Sequence, residues 1–245
     1  MEFLLTLLAA LAVHSGANLA NTYYDFKNGV DSQRSSDDRA LVDGLITPRT
    51  ALVSAAALFA AGAAIGMYLA VKNRLPLLPV LGAAGFFLAW FYTAGNIRYK
   101  YKALGDLGIF LAFGPLIVTG TALIQTGRIL PEALLASAPA GLLIVAILHA
   151  NNIRDLDSDR EAGVKTLAGI LGRNRSETFY RALIFSPYFL ACLSGLWPAA
   201  MAAVSLPAAF RLNAMSAKGE FAGLVRESAK LVVIFGLLFS VGLWL

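Results

Sequence analysis

Cysteine and charge are both scarce in this chain. Of its 245 residues one is a cysteine, Cys192, so an intrachain disulfide is excluded. Only two are histidines, His14 and His149, and no Cys/His cluster has metal-ligand spacing. Charged residues make up 14% and apolar ones 58%, with a mean hydropathy of +0.68. An ordinary water-soluble domain holds about 45–50% apolar residues, so that class is excluded. The N-terminal apolar run lacks the basic flank of a signal peptide, carrying Glu2 instead. It continues into Asn18, Asn21 and Asp25 without a small-residue cleavage pattern, and reads as a retained helix.

A helix needs about 20 apolar residues to cross the hydrocarbon core. Eight candidates are expected, near 2–24, 50–71, 77–97, 105–126, 132–153, 178–196, 198–216 and 227–245. Pro48, Pro76 and Pro79, and Pro131 open spans, while Pro115 is expected to kink the fourth and a Trp197-Pro198 turn to part the sixth from the seventh. Alternate loops then lie on opposite sides. Of the 20 basic residues, Lys72, Arg74 and Arg128 fall on one side and the other 17 on the opposite one. The positive-inside rule makes the rich side cytoplasmic, with both termini outside. The net charge of +5 is thereby a matter of topology, and nucleic acid is not an expected partner. Thirteen of the 15 acidic residues fall on the same side. Acids contribute little to orientation, so their concentration points to a polar site there.

Two stretches carry that chemistry. NLANTYYDFKNGVD ends the first span, with Asn18, Asn21 and Asp25 spaced by three and four, and Asp31 beyond. HANNIRDLDSDREAG ends the fifth, with Asn151, Asp155 and Asp159 at successive steps of four. Steps of three and four share one helical face. Each stretch therefore presents a row of amide and carboxylate oxygens, the hard ligands that Mg²⁺ prefers in company with substrate phosphate. Two such rows could hold ions around one diphosphate and stabilise it as a leaving group. The blander reading is a pair of helix ends, where Asn and Asp are common. Asp157 and Glu161 read as solvated loop charge.

Between them, WFYTAGNIRYKYKALGD gathers Tyr92, Arg98, Tyr99, Lys100, Tyr101 and Asp106. Cations there could grip a diphosphate and aromatic faces could shelter a carbocation, or the cluster is an ordinary membrane interface. Residues 35–49 form either a cap over the site or a solvated connector. His14 reads as packed or interfacial. His149, two residues before Asn151, is a packed residue or a proton-transfer group.

On these segments, together with SDDRALVDG, YTAG, KYKALGDL and FGPL, the chain resembles the UbiA superfamily of intramembrane aromatic prenyltransferases over essentially its whole length. Its nearest branch is that of the 1,4-dihydroxy-2-naphthoate prenyltransferases and the animal members that make menaquinone-4. The resemblance implies an all-α, polytopic transmembrane helical bundle forming a single domain over 1–245, with cytoplasmic cap loops near 25–49 and 154–177. It implies Mg²⁺-dependent transfer of a polyprenyl chain, geranylgeranyl or longer, from its diphosphate to 1,4-dihydroxy-2-naphthoate or menadiol in menaquinone and vitamin K synthesis. Lipid would be a further partner, and in a bacterium the location would be the cytoplasmic membrane. Asn21, Asp25, Asp155 and Asp159 match the metal and diphosphate positions, and Asp31 the later acid of the first motif. Asp38 and Arg39 match the cap segment, Lys100 a central basic position, and Asn151 and Asn152 the amides before the second motif. Asn18, Tyr92, Arg98, Arg154 and Arg160 are the further candidates for substrate contact.

The chain departs from the family in two ways. Asn21-Thr22 stands where many members have Asn-Asp, as in the animal branch, and the usual first of nine helices is expected to be missing, which leaves about eight spans. Rival readings are another acceptor (4-hydroxybenzoate, homogentisate, a porphyrin or a glycerol phosphate), a cation-coupled transporter, and a noncatalytic quinone- or sterol-binding scaffold.

Overall fold

The structure, a computed structural model, describes residues 1–31 and 39–245, and among them it contains helices and turns without a strand. Eleven α-helices run α1 Glu2–Lys27, α2 Pro48–Lys72, α3 Leu78–Trp90, α4 Gly105–Thr126, α5 Pro131–Arg154, α6 Leu156–Glu161, α7 Leu167–Leu171, α8 Arg173–Ala191, α9 Leu196–Ala203, α10 Leu206–Ala217 and α11 Phe221–Trp244. Four of them, α1, α2, α4 and α5, are long and apolar enough to cross a membrane. The all-helical bundle expected from the sequence is what forms.

Local chemistry explains where the helices begin. Thr47 accepts a bond from the Thr50 amide at 3.1 Å and Pro48 follows at the first helical position, so α2 starts where its orphan amides have a partner and where a missing N–H costs nothing. Thr166 caps α7 in the same manner, accepting from Gly169 N at 3.1 Å.

The helices group into two compact units. One comprises residues 1–102, 119–130 and 161–164. Its frame is the antiparallel pair α1 and α2, tied at one end by Lys72 and Glu2 at 3.1 Å. The pair packs through small residues. A Cβ on Gly16 would stand 3.1 Å from the Ala55 carbonyl oxygen, and one on Gly62 would stand 2.6 Å from Val13 Cγ2 and 3.2 Å from the Ala9 carbonyl oxygen. Small interfacial residues let backbones meet where lipid offers no hydrophobic gain. Below the pair, Phe59, Phe86, Trp90 and Tyr24 form a chain of edge and stacked ring contacts that fixes α3.

The other unit comprises residues 103–118, 131–160 and 165–245, with α5 at its centre. Leu143, Ala146, Ala150 and Ile153 of α5 are buried with Tyr180 and Ile184 of α8 and Leu224, Leu231 and Phe235 of α11. In this core the Tyr180 hydroxyl pairs with Ser228 Oγ at 2.7 Å. A Cβ on Gly141 would fall 3.1 Å from Gly114 Cα, so α4 and α5 touch backbone to backbone. Next to that contact α4 widens into a π turn over Ala112–Leu116, which accommodates Pro115 and its missing donor. The expected disturbance at Pro115 is there.

Several boundaries differ from the sequence reading. The third span, expected over 77–97, is helical only to Trp90, because the chain then turns through Gly95 at φ +64. The break after the sixth span lies at Cys192–Gly195, with Gly195 at φ 120, and not at Trp197-Pro198. Both of those residues sit in the first turn of α9, where a proline has no donor to lose. The seventh span is two helices, α9 and α10, since Pro207 inside one continuous helix would clash with a carbonyl four residues back. The stretch 154–177 is not merely loop, because it contains α6 and α7.

Candidate active site

In the first unit the site is built at the end of α1. That helix runs unbroken through Asn18, Asn21 and Asp25, which places them on one face of its last turns. Gly29, at φ +73, then reverses the chain, and the Asp25 carbonyl accepts from Val30 N at 2.9 Å and Asp31 N at 3.2 Å. Asp31 is thereby folded back beneath the helix end.

The Asp25 side chain is buried, with 4% of the residue exposed. Lys100 Nζ donates to its Oδ2 at 2.6 Å, and the Tyr101 hydroxyl donates to its Oδ1. Both donors come from a 3₁₀ turn, Tyr99–Tyr101, entered through Arg98 at φ 24 and left through Ala103 at φ 59. Two non-glycine residues in the left-handed region cost about 1–2 kcal/mol each. The turn holds that strain because Tyr99 is buried, with its hydroxyl on the Leu88 carbonyl at 2.7 Å and its ring edge on Tyr92 at 5.4 Å. Lys100 Nζ also lies 5.8 Å from the centres of the Tyr92 and Tyr101 rings. Burial first, then the negative charge of Asp25, pushes the Tyr101 phenol well above its usual range. Burial does the same to Tyr99.

Asn21 Oδ1, one turn before Asp25, is buried and finds no donor among the described residues. Asn18 is exposed, its Nδ2 at 3.4 Å from His14 Nε2. Arg98 is exposed. Arg39 forms an exposed fork with Asp43, at 2.8 and 2.5 Å, whose hydrogen bonds hold the Asp43 carboxyl below its usual range. Asp38 lies outside the described residues.

In the second unit α5 ends at Arg154 and α6 begins at Leu156, yet the helical path survives the joint. Asp155 N donates to Asn151 O at 3.0 Å and Asp159 N to Asp155 O at 2.8 Å, so Asn151, Asp155 and Asp159 stay at one-turn steps. Arg154 lies across this row, its guanidinium donating to both oxygens of Asp155 at 2.7 Å and to Asn151 Oδ1 at 2.7 Å. Asn152 is buried, whereas Asp159 is half-buried and Arg160 exposed. Asp157 is exposed, as expected of loop charge. Deeper in this unit His149 is fully buried. Its Nδ1 stands 2.8 Å from Asp106 Oδ1, and its ring meets Phe179 edge to face at 4.8 Å.

Each unit thus offers buried or half-buried carboxylate and amide oxygens beside cationic donors. Among the described residues no three His, Cys, Asp or Glu side chains gather as a metal-ligand group. Hard oxygens in ones and twos, with an orphaned amide oxygen at Asn21, fit an ion such as Mg²⁺ that draws much of its shell from phosphate and water. They do not fit a soft or tetrahedral metal. The sequence reading placed Tyr101 and Asp106 in the central cluster without their partners, which proved to be Asp25 for Tyr101 and His149 for Asp106.

Membrane-length apolar helices whose polar ends carry carboxylates with basic and tyrosyl partners define a polytopic membrane protein of the helical-bundle class. Residues 1–243 match the UbiA prenyltransferase family, and the chain belongs to that family. It is accordingly a prenyltransferase. It is 38% identical to UbiA prenyltransferase domain-containing protein 1 of Gallus gallus over 243 residues, covering 97% of this chain and 72% of that protein. The same protein of Homo sapiens is 38% identical over 244 residues, covering 96% and 71%. Among solved structures, the apo form of a UbiA homolog from Aeropyrum pernix K1 superposes with a TM-score of 0.79 at 20% identity, covering 97% of this chain and 88% of that one. A UbiA homolog from Archaeoglobus fulgidus, bound to GPP and Mg²⁺, gives 0.66 at 19% identity, covering 98% and 88%.

Proposed function

We propose that this prenyltransferase moves a polyprenyl chain, geranylgeranyl or longer, from its diphosphate to a naphthoquinol-type acceptor, 1,4-dihydroxy-2-naphthoate or menadiol. The observation that carries the reading is the matched chemistry of the two motif ends: Asn21 with Asp25, and Asn151 with Asp155 and Asp159. The Archaeoglobus fulgidus homolog, which binds GPP with Mg²⁺, supports the donor class. The acceptor rests on the resemblance of the motifs to the naphthoate branch.

In this reading Asn21, Asp25, Asp155 and Asp159 would hold Mg²⁺, which when bound would neutralise the diphosphate and make it a better leaving group. The residues of the chain do the rest. Lys100, Arg98, Arg154 and Arg160 supply cationic donors to the non-bridging phosphate oxygens. Lys100 and Arg154 now spend that charge on Asp25 and Asp155, and a diphosphate with its ions would take over both sides of each pair. Tyr92 and Tyr101 present ring faces beside Lys100 to an allylic cation as the C–O bond lengthens. Asn18, Asn151 and Asn152 orient substrate through amide bonds. Asp31 and Arg39 add a further acid and a further cation to this set. The positive-inside count puts the set on the cytoplasmic side.

The test is a mass-spectrometric product assay with purified protein, a panel of prenyl diphosphates, and naphthoquinol, hydroxybenzoate, homogentisate and glycerol-phosphate acceptors, with Mg²⁺ or with EDTA. Prenylated naphthoquinol formed only with Mg²⁺ is the expected result. Product from another acceptor alone would reassign the substrate, and no product from any would refute the reading.

A further inference from the structure

The proposed transfer is aided by a base, and in that reading Asp25, Asp155 and Asp159 are taken up by the metal. Forming a carbon–carbon bond to an aromatic ring is faster when a ring hydroxyl has given up its proton, because the oxyanion feeds charge into the attacked carbon. A neutral imidazole held in place by a second group can serve as that base. His149 has that arrangement. It lies on α5 with none of its surface exposed, and Asp106, 5% exposed, stands at 2.8 Å from its Nδ1. An ionised carboxylate only accepts, so the shared proton belongs to Nδ1 and leaves the lone pair on Nε2. Asp106 is in the first turn of α4, where the helix dipole favours a negative charge. The remaining nitrogen, Nε2, is buried and has no partner among the described residues. Buried polar atoms are nearly always paired. One that needs a donor, with the ring of Phe179 against the same imidazole, suits an aromatic hydroxyl.

The geometry points to His149 as the base that takes the acceptor's ring hydroxyl proton, oriented by Asp106. This rests on the prenyl transfer proposed above. In the step, the O–H bond breaks and Nε2–H forms, giving an imidazolium paired with the Asp106 carboxylate. The ring carbon next to the oxyanion bonds to C1 of the prenyl chain while the C–O bond to diphosphate breaks. The resulting ring ketone loses either the proton or the carboxylate, as CO₂, from the attacked carbon. Aromaticity returns, and the ring oxyanion recovers the proton from Nε2. The balance is one prenylated ring and one diphosphate, with one proton or one CO₂ released.

The experiment compares wild type with His149→Ala, His149→Gln and Asp106→Asn, in Mg²⁺, on naphthoquinol acceptors of graded hydroxyl acidity. Binding of a non-reactive prenyl thiodiphosphate reports the donor site and the folded state. Expected are unchanged thiodiphosphate binding and a loss of about a hundredfold or more in kcat for the least acidic acceptor, since a positioned base contributes 10²–10⁴-fold. That loss should shrink as the acceptor grows more acidic, because a pre-ionised hydroxyl needs no base. Three outcomes overturn the inference: turnover within threefold of wild type in His149→Ala and His149→Gln, an equal loss on every acceptor, or loss of thiodiphosphate binding in all three variants. Wild type that forms no product from any acceptor would instead overturn the transfer reading itself.

Discussion

Replacing Lys100 by Met should destabilise the protein more than replacing its partner. The Asp25 side chain is 6% exposed and that of Lys100 20%, so removing the amine strands a carboxylate that cannot reach water, with one neutral phenol as its remaining donor. Breaking a buried pair in this way costs about 3–5 kcal/mol, and a single charge-assisted bond is worth about 1.5–3. The partial exposure of Lys100 argues for the lower figures, about 2–3 kcal/mol. At roughly 2–4 °C per kcal/mol for a chain of this size, Tm should fall by about 5–10 °C. Asp25→Asn leaves the more exposed amine behind and should cost about half as much. The double variant, Asp25→Asn with Lys100→Met, should be more stable than Lys100→Met alone, while the function proposed above predicts that it stays inactive. Thermal unfolding of detergent-purified protein, read by intrinsic fluorescence, measures all three. A Lys100→Met protein that melts with wild type, or a double variant no better than Lys100→Met, would refute the reasoning.

Asp155→Ala should reduce prenyl transfer by at least about a hundredfold with Tm lowered by only a few degrees, since the half-buried Arg154 can turn to solvent; product assay and melting curve together check this. Gly242→Ala should destabilise by about 1–3 kcal/mol, because the new Cβ would stand 2.6 Å from Pro198 Cα and 2.7 Å from Trp197 O, both backbone atoms, and a wild-type Tm would contradict it. Stability should also fall above about pH 10. Tyr101 keeps its proton when folded while the unfolded chain releases it, so the contribution is whole below the ordinary tyrosine value and fades as pH rises toward the elevated one. Tyr101→Phe should flatten that limb of a pH–Tm curve between pH 9 and 11.

The polar rows were legible in the sequence because an amide and carboxylates at steps of three and four stand out where nearly everything else is apolar. The i to i−4 bonds through Asn151, Asp155 and Asp159 follow directly from that spacing. Partnerships were not legible. Nothing local says that Asp25 is reached by Lys100 and Tyr101, 75 and 76 positions on, because the strained turn that aims them is set by tertiary packing of Tyr99. Asp106 and His149 are 43 apart, and nothing in the spacing pairs the acid of the central cluster with a histidine that reads as packed or proton-transferring. Boundaries suffered from a subtler ambiguity. Proline opens a helix as readily as it ends one, so Trp197-Pro198 was read as a break when Gly195 made it, and Pro207 was overlooked where it divided a span.

The Gly114–Gly141 contact has a geometric partner. Counting from it, Asp106 lies eight residues back on α4 and His149 eight residues on along α5, roughly 12 Å either way. One point of fixation is made by missing side chains and the other by a hydrogen-bonded pair, and two points determine a line. Sliding α5 along α4 by a single turn would drive backbone into backbone at one and strand a carboxylate at the other. The height at which Asn151 and Asp155 are presented is therefore locked against axial slip, much as two dowels fix a plate that one would leave free to pivot.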